Sequence, residues 1–292
     1  MIRRSIEIIT SSFKMALQEL LKNKLRTFLS LFGITIGIFC IISVLATVGS
    51  LERNIQNEIK SLGNNTIYLD KWDYSAGGGP DFPWWRYVNR PAPKYDEIKF
   101  IRERTAGAKY IAFRIKVTDD VGYANSLLSN VNIYGVNEDF EQIQQIELMQ
   151  GRYISNAEFE RGIPVVVVGF SVAEKLFGTA ELAIDKTIEI RGQKLAITGI
   201  ITKQGKQMIG GWDFDQSVLI SYRFARTIMN EYKADPVIMI QGEEGITSKA
   251  LKENLTGVVR AIHKLTPTKE NDFTLNDIND FSDSISSAFV SL

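Results

Sequence analysis

The sequence predicts an α+β protein, with one N-terminal transmembrane helix followed by a two-lobed extracytoplasmic domain. Three observations indicate this fold class. A long uncharged run lies near the N-terminus, strand and helix patterns alternate after it, and a β-rich block interrupts that alternation. We therefore expect a split β-α-β lobe that carries an inserted β-rich lobe.

The transmembrane helix is predicted from the run that contains FGITIGIFCII. No charged residue occurs from Thr27 to Leu51, which is 25 positions. A helix of that length rises about 37 Å, enough to cross a hydrocarbon core of about 30 Å. A secretory signal has an apolar region of only about 7 to 15 residues. Residues 27–51 are therefore predicted to be a retained transmembrane helix.

Charge predicts the orientation of this helix. Residues 1–26 carry six basic and two acidic side chains, a net charge of +4, and the rest of the chain carries −4. Basic residues beside a membrane helix favour the cytoplasmic side. We therefore expect a cytoplasmic N-terminus, with the residues after about position 51 outside the cytoplasm. The balanced total charge and the pI near 6.7 give no indication of nucleic-acid binding.

Residues 1–26 are predicted to form a cytoplasmic interfacial amphipathic helix, with a plain continuation of the membrane helix as the alternative. Apolar side chains recur there at spacings of three and four, which places them on one helical face. They are Ile6, Ile9, Phe13, Leu17, Leu20 and Leu21.

Two glycines in the membrane span are candidates for helix packing. Gly33 and Gly37 form a G-x-x-x-G pair, which allows another helix to approach closely. The only cysteine, Cys40, lies in the same span. We therefore expect the external domain to be held together by an ordinary hydrophobic core without disulfides.

The external domain is predicted to have two lobes. After a stalk helix at 52–63, residues 64–118 and 235–276 show similar β-α-β patterns and form one composite lobe. Its second helix is capped by Thr247, with Leu251, Leu255, Val258, Ile262 and Leu265 directed inward. Residues 119–234 form the inserted β-rich lobe, with a helix capped by Ser171 and a hairpin turning at Arg191 and Gly192.

The C-terminal residues 277–292 are predicted to be a second stalk helix leading toward a further transmembrane helix. From a cap at Asp277, apolar residues fall on one helical face and no charged residue follows Asp283. They are Ile278, Phe281, Ile285, Phe289 and Leu292.

The sequence does not favour an enzyme, and we predict no catalytic residue, cofactor or metal site. His263 is the only histidine, and without a second histidine or an external cysteine we expect it to be a partly exposed structural residue. Three carboxylate pairs are expected in loops as solvated side chains. They are Asp119 with Asp120, Asp213 with Asp215, and Glu243 with Glu244. No G-x-x-x-x-G-K-[ST] phosphate-binding motif occurs.

Three tryptophans are candidate partner-contact residues. Trp84 and Trp85 lie in a long loop rich in glycine and proline, and Trp212 lies in IGGWDFDQ. Adjacent exposed aromatic residues can anchor a partner, but packing against the chain's own domain is an equal alternative. These residues support a second functional hypothesis, a single-span anchored module that binds or senses a ligand outside the membrane.

Six segments together closely resemble the MacB-like and FtsX-like permeases of ABC transporters. In chain order they are ALQELLKNKLRTFLSLFGITIGI, IKSLGNNTIYL, NIYGVNEDF, LMQGRYISNAEFERGIPVVVVGFSVAEKLFG, KTIEIRGQKLAITGII and DFTLNDINDF. The resemblance extends along essentially the whole chain. It implies a protein of the bacterial inner membrane that carries a MacB-type periplasmic core domain. In that domain the composite lobe would be Porter-like and the inserted lobe Sabre-like.

The resemblance also implies how such a chain works. A cytoplasmic ABC ATPase subunit, separate from this chain, would hydrolyse ATP, and the permease would act as a homodimer or paired permease. Movements of the membrane helices would be transmitted mechanically to the external domains (mechanotransmission). These movements would drive transport or efflux of a peptide, an antibiotic or a lipoprotein. A periplasmic adaptor and an outer-membrane channel are further implied partners, and members normally carry three more membrane helices after this region.

Overall fold

The computed structural model describes residues 10–15, 18, 22–61, 65–74, 82–205 and 212–277, with the side chains of 55–61 left aside. The chain divides into two units, Met1–Asn54 and Ile55–Leu292. The predicted helix at 277–292 lies almost wholly outside the described residues. The same holds for most of the predicted interfacial helix, although residues 10–15 are helical.

One long helix, α1 at Lys24–Ser61, contains the predicted membrane span. Residues 24–54 of this helix are long and apolar enough to cross a membrane, judged by length and composition. Two of its hydroxyl groups donate to carbonyl oxygens one turn earlier, Thr35 to Leu31 and Thr47 to Ser43, each at 2.8 Å. Their polar groups are therefore satisfied within the helix, as an apolar surrounding requires.

The second unit is built on one mixed β-sheet. Among the described residues the sheet has ten strands, in the order β10-β1-β9-β2-β3-β8-β5-β7-β4, and β6 pairs with both β2 and β7. The strands are β1 Thr66–Asp70, β2 Ala108–Tyr123, β3 Ser126–Val136, β4 Leu148–Gly151, β5 Val165–Val168, β6 Thr187–Ile190, β7 Gln193–Ile201, β8 Ser217–Ser221, β9 Val237–Gly242 and β10 Thr274–Asp277.

Six shorter helices connect these strands. They are α2 Glu97–Arg104, α3 Phe140–Gln144, α4 Asn156–Arg161, α5 Phe170–Phe177, α6 Tyr222–Ile228 and α7 Ser248–Ile262. Helix α7 begins as the sequence predicts, because the Thr247 hydroxyl accepts a hydrogen bond from the Ala250 backbone N–H at 3.3 Å. Its fully buried residues are Leu251, Leu255 and Val259, so Val259 takes the central place that the pattern assigns to Val258.

The two β-α-β units interlock rather than lie side by side. Strand β9 lies between β1 and β2, and β1 lies between β9 and β10, with all of these neighbours antiparallel. Each unit is therefore a split β-α-β motif, in which the partner unit supplies the middle strand. Helices α2 and α7, the two crossover helices, pack against each other.

The inserted block extends the same sheet. Strand β3 pairs with β2 and continues in parallel to β8, which leads through β5 to β7. The β6–β7 hairpin turns at Arg191 and Gly192 with φ of 50° and 76°, which confirms the predicted turn. Strand β2 runs unbroken past position 118, and the division into two lobes stays a prediction.

The sheet has an apolar core on each face. Along β5, Val166 and Val168 belong to one buried cluster and Val165 and Val167 to the other. This alternation follows from the two-residue period of a strand, and it makes β5 a fully buried strand. Helices α2, α5 and α7 contribute to the first cluster, while Phe140 of α3 contributes to the second.

Two local expectations are wrong. Helix α5 is capped by Gly169, not Ser171, because the helix already begins at Phe170. An alanine Cβ at Gly169 would lie 2.0 Å from the Phe214 carbonyl oxygen, so close backbone approach decides this position. Asp119 and Asp120 lie within strand β2, not in a loop, because β3 pairs with β2 on both sides of a register shift at Asp120 and Arg191 forms an ion pair with Asp119.

Candidate functional site

The glycine pair lies on one face of helix α1, because the two residues are four positions apart. A Cβ atom added at Gly33 or at Gly37 would meet nothing within 4 Å. Both positions therefore leave a flat strip of helix surface that a second helix could approach closely.

Trp84 and Trp85 form an exposed aromatic pair. They begin a short 3₁₀ helix, Trp84–Arg86, after Pro83, and the Trp84 carbonyl oxygen accepts from the backbone N–H groups of Tyr87 and Val88. The side chains are 57% and 58% exposed, and their rings meet edge to face at 6.1 Å. The fold thus presents both rings on a short, hydrogen-bonded turn.

An aromatic platform, Trp72, Phe82 and Tyr87, lies beside this turn. Phe82 stacks on Tyr87 with ring centroids 5.3 Å apart, and Trp72 packs on both at 6.2 and 6.3 Å. Arg90 covers the Tyr87 ring at 4.5 Å and donates to the Thr274 hydroxyl at 2.8 Å. The turn is therefore tied to strand β10, which the sequence did not indicate.

Trp212, the third candidate, is a core residue and not a surface contact. It is 4% exposed and stacks on Phe214 with ring centroids 5.3 Å apart and an interplanar angle of 10°. Tyr134 and Phe140 complete the cluster at 5.3 and 5.7 Å from the Trp212 ring. The partner-contact expectation is wrong for this residue, because burial leaves its ring no surface for a partner.

His263 is partly exposed, as the sequence predicts, and it connects three elements. Its Nδ1 lies 2.6 Å from Asp272 Oδ1, and its Nε2 lies 3.6 Å from Glu97 Oε1. Glu97 and Asp272 raise the pKa of His263 against the opposing effect of burial. The histidine therefore links α2, the end of α7 and the approach to β10, which is a structural role.

The carboxylate pairs do not form a catalytic arrangement. Asp215 is buried and accepts from the backbone N–H groups of Gln204 and Gly205 at 2.9 Å each, so it is structural and not solvated. The Asp120 N–H and the Arg191 guanidinium lower the pKa of Asp119. Glu243 and Glu244 are exposed. In the described part of the chain, no group of three or more His, Cys, Asp or Glu side chains is placed to hold a metal ion.

A membrane-length helix that leads into interlocked β-α-β units with an inserted β-rich block defines the class: a membrane-anchored α+β domain. The chain belongs to the MacB-like periplasmic core domain family, whose profile matches residues 27–258. This membership confirms the resemblance drawn from the sequence.

Relatives of known sequence agree with the family. The macrolide export ATP-binding/permease protein MacB of Neisseria meningitidis is 26% identical over 285 residues, which cover 94% of this chain and 39% of that protein. The uncharacterized ABC transporter permease YvrN of Bacillus subtilis is 23% identical, over 79% of this chain and 56% of that protein. This chain thus spans well under two thirds of either relative.

Solved structures show the same fold. The periplasmic region of MacB from Actinobacillus actinomycetemcomitans matches with a TM-score of 0.62 and 16% identity, over 78% of this chain and 95% of that one. The extracellular domain of the ABC-type transporter YknZ from Gram-positive bacteria matches with a TM-score of 0.55 and 14% identity, over 73% and 100%. The MacB-type fold expected from the sequence is therefore confirmed.

Proposed function

We propose that the chain is the N-terminal part of the permease subunit of a MacB-type ABC transporter. The observation that carries the proposal is the match to the MacB-like family over a region that includes both the apolar helix and most of the domain. In this proposal the N-terminus is cytoplasmic and the domain lies outside the inner membrane. The basic side chains before Thr27 support that orientation.

Helix α1 would be the mechanical link. It continues for 38 residues without a proline, and its last residue, Ser61, precedes strand β1 by only four residues. A continuous helix shifts as a stiff unit, so movement of its membrane part would reach strand β1, which lies between β10 and β9. Residues 52–63 act as the stalk in this mechanism.

ATP hydrolysis would be supplied by a cytoplasmic ABC ATPase on a separate subunit, since this sequence carries no phosphate-binding motif of the P-loop type. The substrate would be moved outside the membrane and would belong to the peptide, antibiotic or lipoprotein class. Exposed Trp84 and Trp85 are the residues we propose for contact with a periplasmic adaptor, which in turn would connect to an outer-membrane channel.

Copurification tests the transporter role. The natural protein is purified from its own membrane in mild detergent, and the bound proteins are identified and assayed for ATP hydrolysis. We expect an ABC ATPase in a fixed ratio to the chain. Absence of any ATPase, after chemical crosslinking in the intact membrane as well, would refute the proposal.

The glycine pair offers a separate test of the paired permease. Gly33→Leu and Gly37→Leu should weaken association of two α1 helices, because the added side chains hold the backbones apart. Gly49→Leu, in the same helix but outside the G-x-x-x-G pair, is the matched control. Fluorescence energy transfer between labelled copies in micelles measures association. If Gly33→Leu and Gly37→Leu show the same energy transfer as the Gly49→Leu control, this face is excluded as the dimer contact.

A ligand-binding module anchored by α1 is the second candidate. The exposed Trp84 and Trp85 pair favours it, since two adjacent rings on a braced turn can capture a partner without any ATPase. The copurification experiment separates the two candidates.

A further inference from the structure

A groove of about 350 Å³ opens on one face of the sheet, at the end where β1 stops and β9 begins. Its lining combines aromatic rings with four charged side chains, which include the acidic Asp70 and the basic Lys116. The residues that matter are Trp72, Tyr134, Trp212, Arg114 and Asp235. A groove of this size, in which charged groups lie beside aromatic rings, can hold a small polar ligand.

Arg114 forms the floor of the groove. It lies in β2, opposite Val136 of β3 and Val237 of β9, and is only 9% exposed. Its guanidinium carbon is 5.1 Å from the Trp212 ring centroid and 5.9 Å from that of Tyr134. Two aromatic rings therefore fix a buried cation in one orientation.

The Arg114 guanidinium has more donors than acceptors. It carries five N–H donors, yet its one ion pair in the described part of the chain is to Asp235, at 3.4 Å. Its Nε is buried and has no hydrogen-bond partner there. The Asp235 side chain is half exposed, and φ at Asp235 is 45°. Asp235 is thus a distant ion-pair partner of Arg114, and its carboxylate is also hydrated by solvent.

The other carboxylate at the groove does not compete for Arg114. Asp70 also lines the groove, but it accepts from the Tyr74 hydroxyl at 2.7 Å and from the Lys71 N–H at 2.6 Å. Burial raises the pKa of Asp70, while the hydrogen bonds from Tyr74 and Lys71 oppose this effect. The donors of Arg114 are left for an acceptor that enters from solvent.

We propose that this groove binds the carboxylate of a small ligand with an aromatic or apolar body. The carboxylate would take both sides of the Arg114 fork, which fits a planar acceptor, and Asp235 would swing outward. Trp72 would contact the body, while the buried rings of Tyr134 and Trp212 hold Arg114 in place. A phosphate dianion fits less well, because Asp70 and Asp235 lie close by. This site does not depend on the transporter role.

Calorimetric titration of the full chain in detergent tests the site with three probes: N-acetylphenylalanine, its amide, and inorganic phosphate. We expect the acid to bind about tenfold or more tightly than the amide, the effect of one charge-assisted pair. Equal binding of acid and amide, tighter binding of phosphate, or no saturable binding of the acid at millimolar concentration would overturn the proposal.

Two variants of the ion pair should act in opposite directions. Arg114→Gln should abolish binding of the acid, whereas Asp235→Asn should strengthen it by about tenfold, because it removes the competing carboxylate. Arg191→Gln, which breaks an ion pair outside the groove, should change nothing. If Arg114→Gln does not fold, Asp235→Asn decides alone, and weaker binding by that variant would refute the site.

Discussion

Replacing the candidate tryptophans by alanine should change the free energy of unfolding strongly for Trp212 and little for Trp84. Trp212→Ala removes a ring that is 4% exposed and packed against Phe214, Tyr134 and Phe140. Truncation of a buried aromatic residue costs about 3 to 5 kcal/mol of unfolding free energy, because the transfer free energy is lost and a cavity is left. Trp84→Ala removes a ring that is mostly in water, where a change of about 0.5 kcal/mol or less is expected.

Urea unfolding of the full chain in detergent, followed by far-ultraviolet circular dichroism, measures the difference. With a slope of about 2 kcal/mol per molar urea, a loss of about 4 kcal/mol lowers the midpoint by about 2 M. The midpoint for Trp84→Ala should stay within about 0.3 M of the parent. A Trp212→Ala midpoint as close to the parent as that of Trp84→Ala would refute the assignment of Trp212 to the core.

Three further predictions concern the histidine, the sheet and the stalk. The carboxylates around His263 raise its pKa above 6.5, so its contribution to stability is complete below that pH and is lost as pH rises through the raised pKa. The urea midpoint should therefore fall as the pH is raised from about 6, and a fall of equal size in His263→Gln would contradict this. Gly135→Ala places a Cβ 2.4 Å from the Cβ of Ala225 and should lower the free energy of unfolding by about 1 to 3 kcal/mol. Gly257→Ala, on an open helix face, should be neutral or stabilising. The reverse order of their urea midpoints would be inconsistent with this packing. Gln56→Pro should break the stalk helix, so that substrate no longer stimulates ATP hydrolysis, whereas Gln56→Ala should keep this stimulation. Equal stimulation by substrate in both variants would exclude α1 as the link.

Local chemistry made several elements readable from the sequence. The Thr247 cap and the Arg191–Gly192 hairpin turn are decided by neighbouring residues, so the pattern predicts them correctly. The uncharged run from Thr27 to Leu51 likewise predicts its helix, because length and hydropathy suffice.

Non-local contacts explain what the sequence could not show. Nothing in the segments of β1 and β2 indicates that β9 lies between them, because strand pairing joins residues far apart in the chain. Asp119 has the composition of a loop residue, yet pairing with β3 and the ion pair with Arg191 keep it in a strand.

The candidate site shows the same division. Trp84 and Trp212 have similar glycine-rich or proline-rich neighbours, and only the tertiary fold exposes one and buries the other. Arg114 is one charged residue in a predicted strand, and its spare donors become visible only when Trp212 and Asp235 are brought beside it.

The central claim, that ATP binding and hydrolysis in the cytoplasm move this external domain, can be tested at the binding step by spin-label distances. Replacing Cys40 by serine leaves a chain without cysteine, and Leu127→Cys then adds one label at the exposed end of the β2–β3 hairpin. In the membrane complex with its ATPase, we expect the distance between labels on two copies to change when a non-hydrolysable ATP analogue binds. The same distance distribution with and without nucleotide would contradict the claim.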